Sequence, residues 1–156
     1  MSSDLFRRVC ANFPTGVCVA TTSDAAGIPH GLTVNSFTSL SLTPPLVMVA
    51  IDRASAVLEL FEASGAYAVN MLREDQRDLS VRFAELPEGR FEGVAWHPGF
   101  QSGAPVLDGA LGVIECRIVQ AVDTGDHRVL VGEVLEVSCS AGRPLVFFGS
   151  GYAGLA

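Results

Sequence analysis

Between Pro29 and Ile51 the chain reads PHGLTVNSFTSLSLTPPLVMVAI, and the fold class follows from this stretch. β-Branched and aromatic residues sit among hydroxyls and one amide. In an extended strand Thr33, Asn35, Phe37, Ser39 and Ser41 would share one side, with Leu32, Val34, Leu40 and Leu42 on the other. Pro44-Pro45 breaks the run, and Leu46 to Ile51 reads as a buried strand without polar interruption. A face of short neutral donors and acceptors backed by an apolar face suits a flat, uncharged heteroaromatic ring. It offers hydrogen bonds without a charge that is costly to bury.

Outward from this stretch the same signals continue. Gly16 to Thr22 is a strand, and DAAGIP is the turn that returns the chain into Pro29. Ser3 to Asn12 has amphipathic spacing, with Leu5, Phe6, Val9 and Cys10 on one side. Ala54 to Ser64 has helical spacing at Val57, Leu58 and Phe61, and Gly65 is a natural stop. Ala66 to Met71 is a strand, Asp75 to Ala84 a second helix, and Glu85 to Ser102 a loop rich in Pro and Gly. Gly109 to Val122 and His127 to Ser138 form two long strands joined at DTGD, with apolar residues on both faces. Pro144 to Phe148 is a last short strand. Six or seven strands with short inserted helices predict a mainly β, antiparallel barrel rather than βαβ units.

Composition narrows the function. A chain of 156 residues is expected to form a single domain, 1–156. A net charge of −7 excludes a basic nucleic-acid footprint. All ten basic residues are Arg, which excludes a Schiff-base lysine, a P-loop lysine and a Ser-Lys pair. The N-terminal residues carry no long apolar segment, and no apolar run approaches the roughly 20 residues of a membrane span, so a soluble cytoplasmic protein is expected. Cys10, Cys18, Cys116 and Cys139 are far apart and lie among apolar neighbours, the pattern of reduced, buried thiols. His30, His97 and His127 are isolated, which gives no metal-ligand spacing.

Taken in order, FPTGV at 13–17, GLTVNSFTSLSLTPPLVMV at 31–49, RFA at 82–84, GDH at 125–127 and PLVFFGSGY at 144–152 resemble the flavin reductase-like domain. Its members are small NAD(P)H:flavin oxidoreductases that supply reduced flavin to two-component monooxygenases, and the resemblance covers nearly the whole chain. It implies an FMN-binding split β-barrel of Greek-key antiparallel type with short peripheral helices. It further implies a homodimer with flavin at the subunit interface, FMN or FAD as flavin, and NADH or NADPH as hydride donor. A partner monooxygenase would receive the reduced flavin by diffusion. Two other readings stay open: a non-catalytic flavin-binding or electron-carrier protein with the same barrel, and a relative of the pyridoxamine-phosphate oxidases.

The resemblance also assigns sites, each with a plainer alternative. Thr33, Val34, Asn35, Ser36, Ser39 and Leu40 would line the isoalloxazine ring and ribityl chain; alone, they are an ordinary solvated strand face. Asp52, Arg53 and Ser55 would hold the flavin phosphate at a helix start, which is otherwise a simple N-cap beside a surface Arg. Arg82 and Phe83 would lie at or near that phosphate, although an Arg late in a helix also complements the helix dipole. Asp126 and His127 would stand at the mouth of the site where the nicotinamide arrives, His127 being the catalytic candidate. A lone GDH is otherwise a turn with an exposed His. Pro14, Thr15 and Gly16 would belong to the cleft, and Phe148 and Tyr152 to a terminal segment beside it. GSGYAG at 149–154 matches GxGxxG only formally, because that motif opens a helix inside a βαβ unit and no such unit is expected here.

Overall fold

A computed structural model describes residues 1–156. It is mainly β: seven antiparallel strands form one sheet in the order β3-β2-β6-β9-β10-β5-β4, flanked by a three-stranded sheet β1-β11-β12 and the pair β7-β8. The main strands are β2 (Cys18–Ser23), β3 (Pro29–Val34), β4 (Thr38–Leu42), β5 (Pro45–Asp52), β6 (Ala66–Met71), β9 (Gly112–Thr124) and β10 (His127–Cys139). The short strands are β1 (Thr15–Gly16), β7 (Trp96–Pro98), β8 (Pro105–Leu107), β11 (Val146–Phe148) and β12 (Gly151–Ala153). Three helices accompany them: α1 (Ser3–Cys10), α2 (Leu58–Ser64) and α3 (Arg77–Glu85). None is long and apolar enough to cross a membrane.

The expected single run through Pro29–Leu42 is two strands. Asn35 to Phe37 leave the ladder, and β3 and β4 lie on opposite edges of the main sheet. One side chain brings the two ends together. Ser36 Oγ donates to the Ala50 carbonyl at 2.8 Å and accepts from the Ala50 N–H at 3.0 Å. The segment after β3 is thereby tied to β5 although no ladder joins those strands, so the sheet curls but is not closed by backbone pairing.

Strand β2 is buried on both faces, which follows from its period of two. Cys18 and Ala20 point into one core with Val49, Ile51, Phe61, Tyr67 and Leu130. Val17 and Val19 point into a second, with Leu72, Phe83, Leu107 and Leu145. The first core depends on Gly132, where an added Cβ would lie 2.5 Å from Tyr67 Oη and 2.7 Å from Cys116 Cβ. Asn70, fully buried, joins the layers: its amide donates to the Val19 carbonyl at 3.1 Å and its oxygen accepts from Leu107 N–H at 2.8 Å.

Glu115 organises the loop before β8. Its carboxylate accepts from the backbone N–H of Phe100 (3.1 Å), Gln101 (2.9 Å) and Ser102 (2.7 Å) and from the Ser102 hydroxyl (2.8 Å). No cation is needed, because donors converge on both oxygens of a side chain that is only 5% exposed.

Two expectations about burial are corrected. Cys18 and Cys116 are buried, and burial pushes each thiol up to about 12. Cys10 and Cys139, however, are exposed. The reason is that α1 forms as its spacing predicts but buries none of its residues, and the end of β10 runs past the core.

Candidate functional site

Residues singled out in the sequence gather at two places. The first is a cavity of about 200 Å³ lined by Val17, Thr33, Val34, Asn35, Phe147 and Tyr152, with Ser80 and Ala84 of α3. Thr33, last but one in β3, donates its hydroxyl to the Ser80 carbonyl at 2.6 Å. Tyr152 Oη lies 2.7 Å from Ser80 Oγ, and the Tyr152 ring meets Phe147 edge-on at 5.6 Å. Asn35 is exposed just beyond the strand end. Thr15, paired with Phe147 across β1 and β11, holds a buried hydroxyl with no partner. The GxGxxG match is a β-hairpin: Gly149 and Ser150, at φ +61° and +62°, make the turn between β11 and β12 that brings Tyr152 back over the cavity.

The second place is the end of the β5–β10 pair. His127 is the register partner of Asp52, and Arg53 N–H donates to the Asp126 carbonyl at 2.9 Å. His127 Nδ1 lies 2.7 Å from Asp126 Oδ1, and this hydrogen bond holds the Asp126 carboxyl below its usual range. The Arg53 guanidinium reaches the Gly125 carbonyl at 3.5 Å and Asp123 at 3.8 Å. Asp123 is also paired with Arg128 at 2.8 Å; that hydrogen bond, with the charge of Arg53, holds its carboxyl low. Arg53, Ser55, Asp123 and Arg128 line one open depression.

The helix start expected at 52–55 is corrected. Asp52 Oδ1 accepts from Ala54 N–H at 2.8 Å and the Asp52 carbonyl from Ser55 N–H at 2.9 Å, so these residues form a turn closed by the Asp side chain. The helix begins only at Leu58. What remains for an anion is the Arg53 guanidinium and the Ser55 hydroxyl.

Ser36 links the two places. Thr33 and Asn35 precede it, and its partner Ala50 lies two strand residues, about 7 Å, before Asp52. Its own hydroxyl is engaged by the backbone on both sides and offers little to a ligand. Ser39 and Leu40 lie exposed on the opposite edge strand β4. Phe148 is exposed as well, facing away from the core that holds Phe147.

Phe83 and Arg82, like Ser39, Leu40 and Phe148, join neither group. Phe83 is fully buried in the second core, edge-on to Phe91 at 4.9 Å, and presents no atom to a ligand. Arg82 donates to the Glu92 carbonyl at 2.9 Å and lines a depression with Arg77 and Glu85, separate from Arg53. Ser80 and Arg77, by contrast, meet the cavity lining although no sequence motif marks them. The only available signal is that Arg77, Ser80 and Ala84 recur at i, i+3 and i+7 on one helix face.

The first place is a cavity lined by neutral side chains; the second sets Arg53 and Arg128 among Glu59, Glu62 and Asp123 on the same antiparallel scaffold. The profile of the flavin reductase like domain matches residues 10–156. The chain belongs to that family. It is 39% identical over 153 residues to the reductase subunit HsaB of a flavin-dependent monooxygenase from Mycobacterium tuberculosis, covering 96% of this chain and 81% of HsaB. It is 40% identical to a flavin reductase (NADH) from Kitasatospora aureofaciens, covering 86% of this chain and 71% of that protein. The structure of Streptomyces globisporus C-1027 NADH:FAD oxidoreductase SgcE6, in complex with NAD and FAD fragments, superposes with a TM-score of 0.92. The two are 36% identical, with 97% of this chain and 91% of that one covered.

Proposed function

We propose that this chain is an NAD(P)H:flavin oxidoreductase that reduces FMN or FAD and supplies the reduced flavin to a partner monooxygenase. The observation that carries the reading is the meeting of Thr33, Val34 and Asn35 with Tyr152 on one neutral cavity, in a chain of the flavin reductase family. The residues fit a flavin: Asn35 carries an exposed amide at the cavity, and Thr15, the register partner of Phe147, holds a buried hydroxyl without a partner. Arg53 and Ser55 supply a cation and a hydroxyl for its phosphate. The names of HsaB and of SgcE6 support a monooxygenase partner and the use of NADH with FAD.

Flavin accepts a hydride from reduced nicotinamide without help from a protein acid or base, so the chain's task is alignment and exclusion of water. Thr33, Asn35 and Tyr152 form the walls against which a ring is held. In this reading His127, the register partner of Asp52, meets the nicotinamide. In the tautomer whose Nδ1–H donates to Asp126, Nε2 is left as an acceptor for a carboxamide N–H.

The curled seven-stranded sheet, with β3 and β4 as its separate edges, is the open form of a split barrel, and the chain makes one domain of it. A homodimer is part of the same reading. Leu5, Phe6 and Val9 of α1, Leu42 of β4, and Val119 and Val137 of the long hairpin are exposed, more than solvent alone would select.

The test is spectrophotometric: NADH and NADPH oxidation followed with FMN, FAD and riboflavin in turn. Turnover with at least one pair supports the reading. Flavin that survives dialysis at one equivalent per chain, with no nicotinamide oxidation, would instead make the protein a flavin carrier.

A further inference from the structure

Tyr152 is fixed from three sides. Its phenol oxygen is 2.7 Å from Ser80 Oγ, its ring centroid is 5.6 Å from that of Phe147, and the Arg77 guanidinium carbon stands 4.9 Å from the ring centroid. Ser80 is fully buried, and its carbonyl receives the Thr33 hydroxyl at 2.6 Å. A single helix residue therefore touches both walls of the cavity, Thr33 through its backbone and Tyr152 through its side chain.

The rest of the tail is weakly held. Strand β12 has three residues and pairs only with the three residues of β11 through a two-residue turn. So short a hairpin is marginal by itself. The place of the Tyr152 ring is set by α3.

We propose that Ser80 and Arg77 are positioning residues of the flavin site, which fix the Tyr152 ring as the wall facing Thr33 and Asn35. This rests on the flavin reading. The Ser80–Tyr152 bond joins two hydroxyls at a part-buried place, where a hydrogen bond is stronger than in water. Arg77 adds a cation on the ring face from the exposed side of the same helix. Replacing Ser80 by Ala removes only the bond to Tyr152, because Thr33 bonds to the main chain.

The experiment uses the full-length protein and four variants: Ser80→Ala, Tyr152→Phe, the double variant, and Arg77→Met. Flavin affinity is measured by fluorescence quenching with FMN and FAD, and the absorption band of bound flavin is recorded. Amide hydrogen exchange at Tyr152 and Ala153 is measured in the flavin-free protein. Ser80→Ala and Tyr152→Phe should each weaken flavin about three- to tenfold. The double variant should be no worse than either alone, since both remove one bond. Arg77→Met, at an exposed position, should weaken flavin about two- to fivefold and keep the fold where a Ser80 variant fails to. Tail exchange should quicken in all four, with a shifted flavin band.

Faster tail exchange with unchanged affinity and band would overturn the proposal and leave Tyr152 a purely structural anchor. Independent, multiplying effects in the double variant would overturn it too, since the two hydroxyls would then act separately. Parent protein that binds no flavin would remove the flavin reading and this inference together. Parent that binds flavin alongside unaffected variants removes the inference alone.

Discussion

Asp52 and His127 face each other as register partners across β5 and β10. Two motifs 75 positions apart in sequence, the DRAS turn and the GDH hairpin, thereby become one surface. The main-chain bond from Arg53 N–H to the Asp126 carbonyl, at 2.9 Å, locks that juxtaposition. A ligand phosphate at Arg53 and a second ligand at His127 would then be neighbours, as transfer between two bound nucleotides requires.

His127→Ala should leave flavin binding, measured by fluorescence quenching, within a few-fold of the parent. Reduction in single turnover should slow, or its dependence on NADH should shift, because a ring that loses its guide loses alignment. If His127 is only an exposed hairpin residue, neither assay changes.

Arg53→Ala should weaken FMN about tenfold or more while riboflavin, which lacks the phosphate, is little affected. Arg82→Ala serves as the comparison, since its guanidinium lies in a different depression. Equal losses for both flavins in Arg53→Ala would remove the phosphate from this turn.

Glu115 predicts an acid-labile loop. Burial raises its carboxyl, but the hydrogen bonds from Ser102, Gln101 and Phe100 outweigh burial and hold it below the ordinary value of 4.5. A group depressed in the folded state is more protonated in the unfolded chain. Its stabilisation is therefore complete above about that ordinary value and is lost as pH falls toward the lowered one. Glu115→Gln should cost about 1.5–3 kcal/mol at neutral pH and flatten the decline of stability below pH about 4.5. Denaturant melts of both proteins from neutral to acid pH check this. Parallel curves would show that the carboxylate is not what holds the loop.

The exposed apolar face of α1 predicts self-association. Sedimentation at micromolar concentration should show a dimer, and Phe6→Glu should weaken it. A single species near the chain mass of 16.4 kDa for the parent would contradict the proposed homodimer.

Much of this was written in local sequence. The β-rich run at 16–22, the uninterrupted apolar run Leu46–Ile51 and the paired long strands around GD are local signals that survive folding with their ends shifted by up to three residues. The break at Asn35–Phe37 is not local: it exists because Ser36 bonds to Ala50, which alternation cannot reveal. Helix α2 starts late because the Asp52 carboxylate closes a turn that competes with the helix. Strand β12 was hidden in a glycine-rich tail, since nothing short-range tells a hairpin there from a loose end. Thr33, Asn35 and Tyr152, which the ordered motifs mark, line one cavity. Phe83 lies in the core instead, because a motif does not say which of its side chains turns inward. Ser80 and Arg77 carried no motif at all, and only the packing of α3 on β3 brings them to the cavity.

An anaerobic single-turnover experiment reads hydride transfer to the flavin itself. Protein with one equivalent of flavin is mixed with NADH, and in parallel with NADPH, and the oxidised-flavin absorbance is followed. Rapid, complete loss of that absorbance is expected with at least one donor, far faster than for free flavin, slowed by His127→Ala and restored by admitting oxygen. Persistence of the oxidised band with both donors, in protein shown by quenching to hold flavin, would contradict the proposed reductase activity.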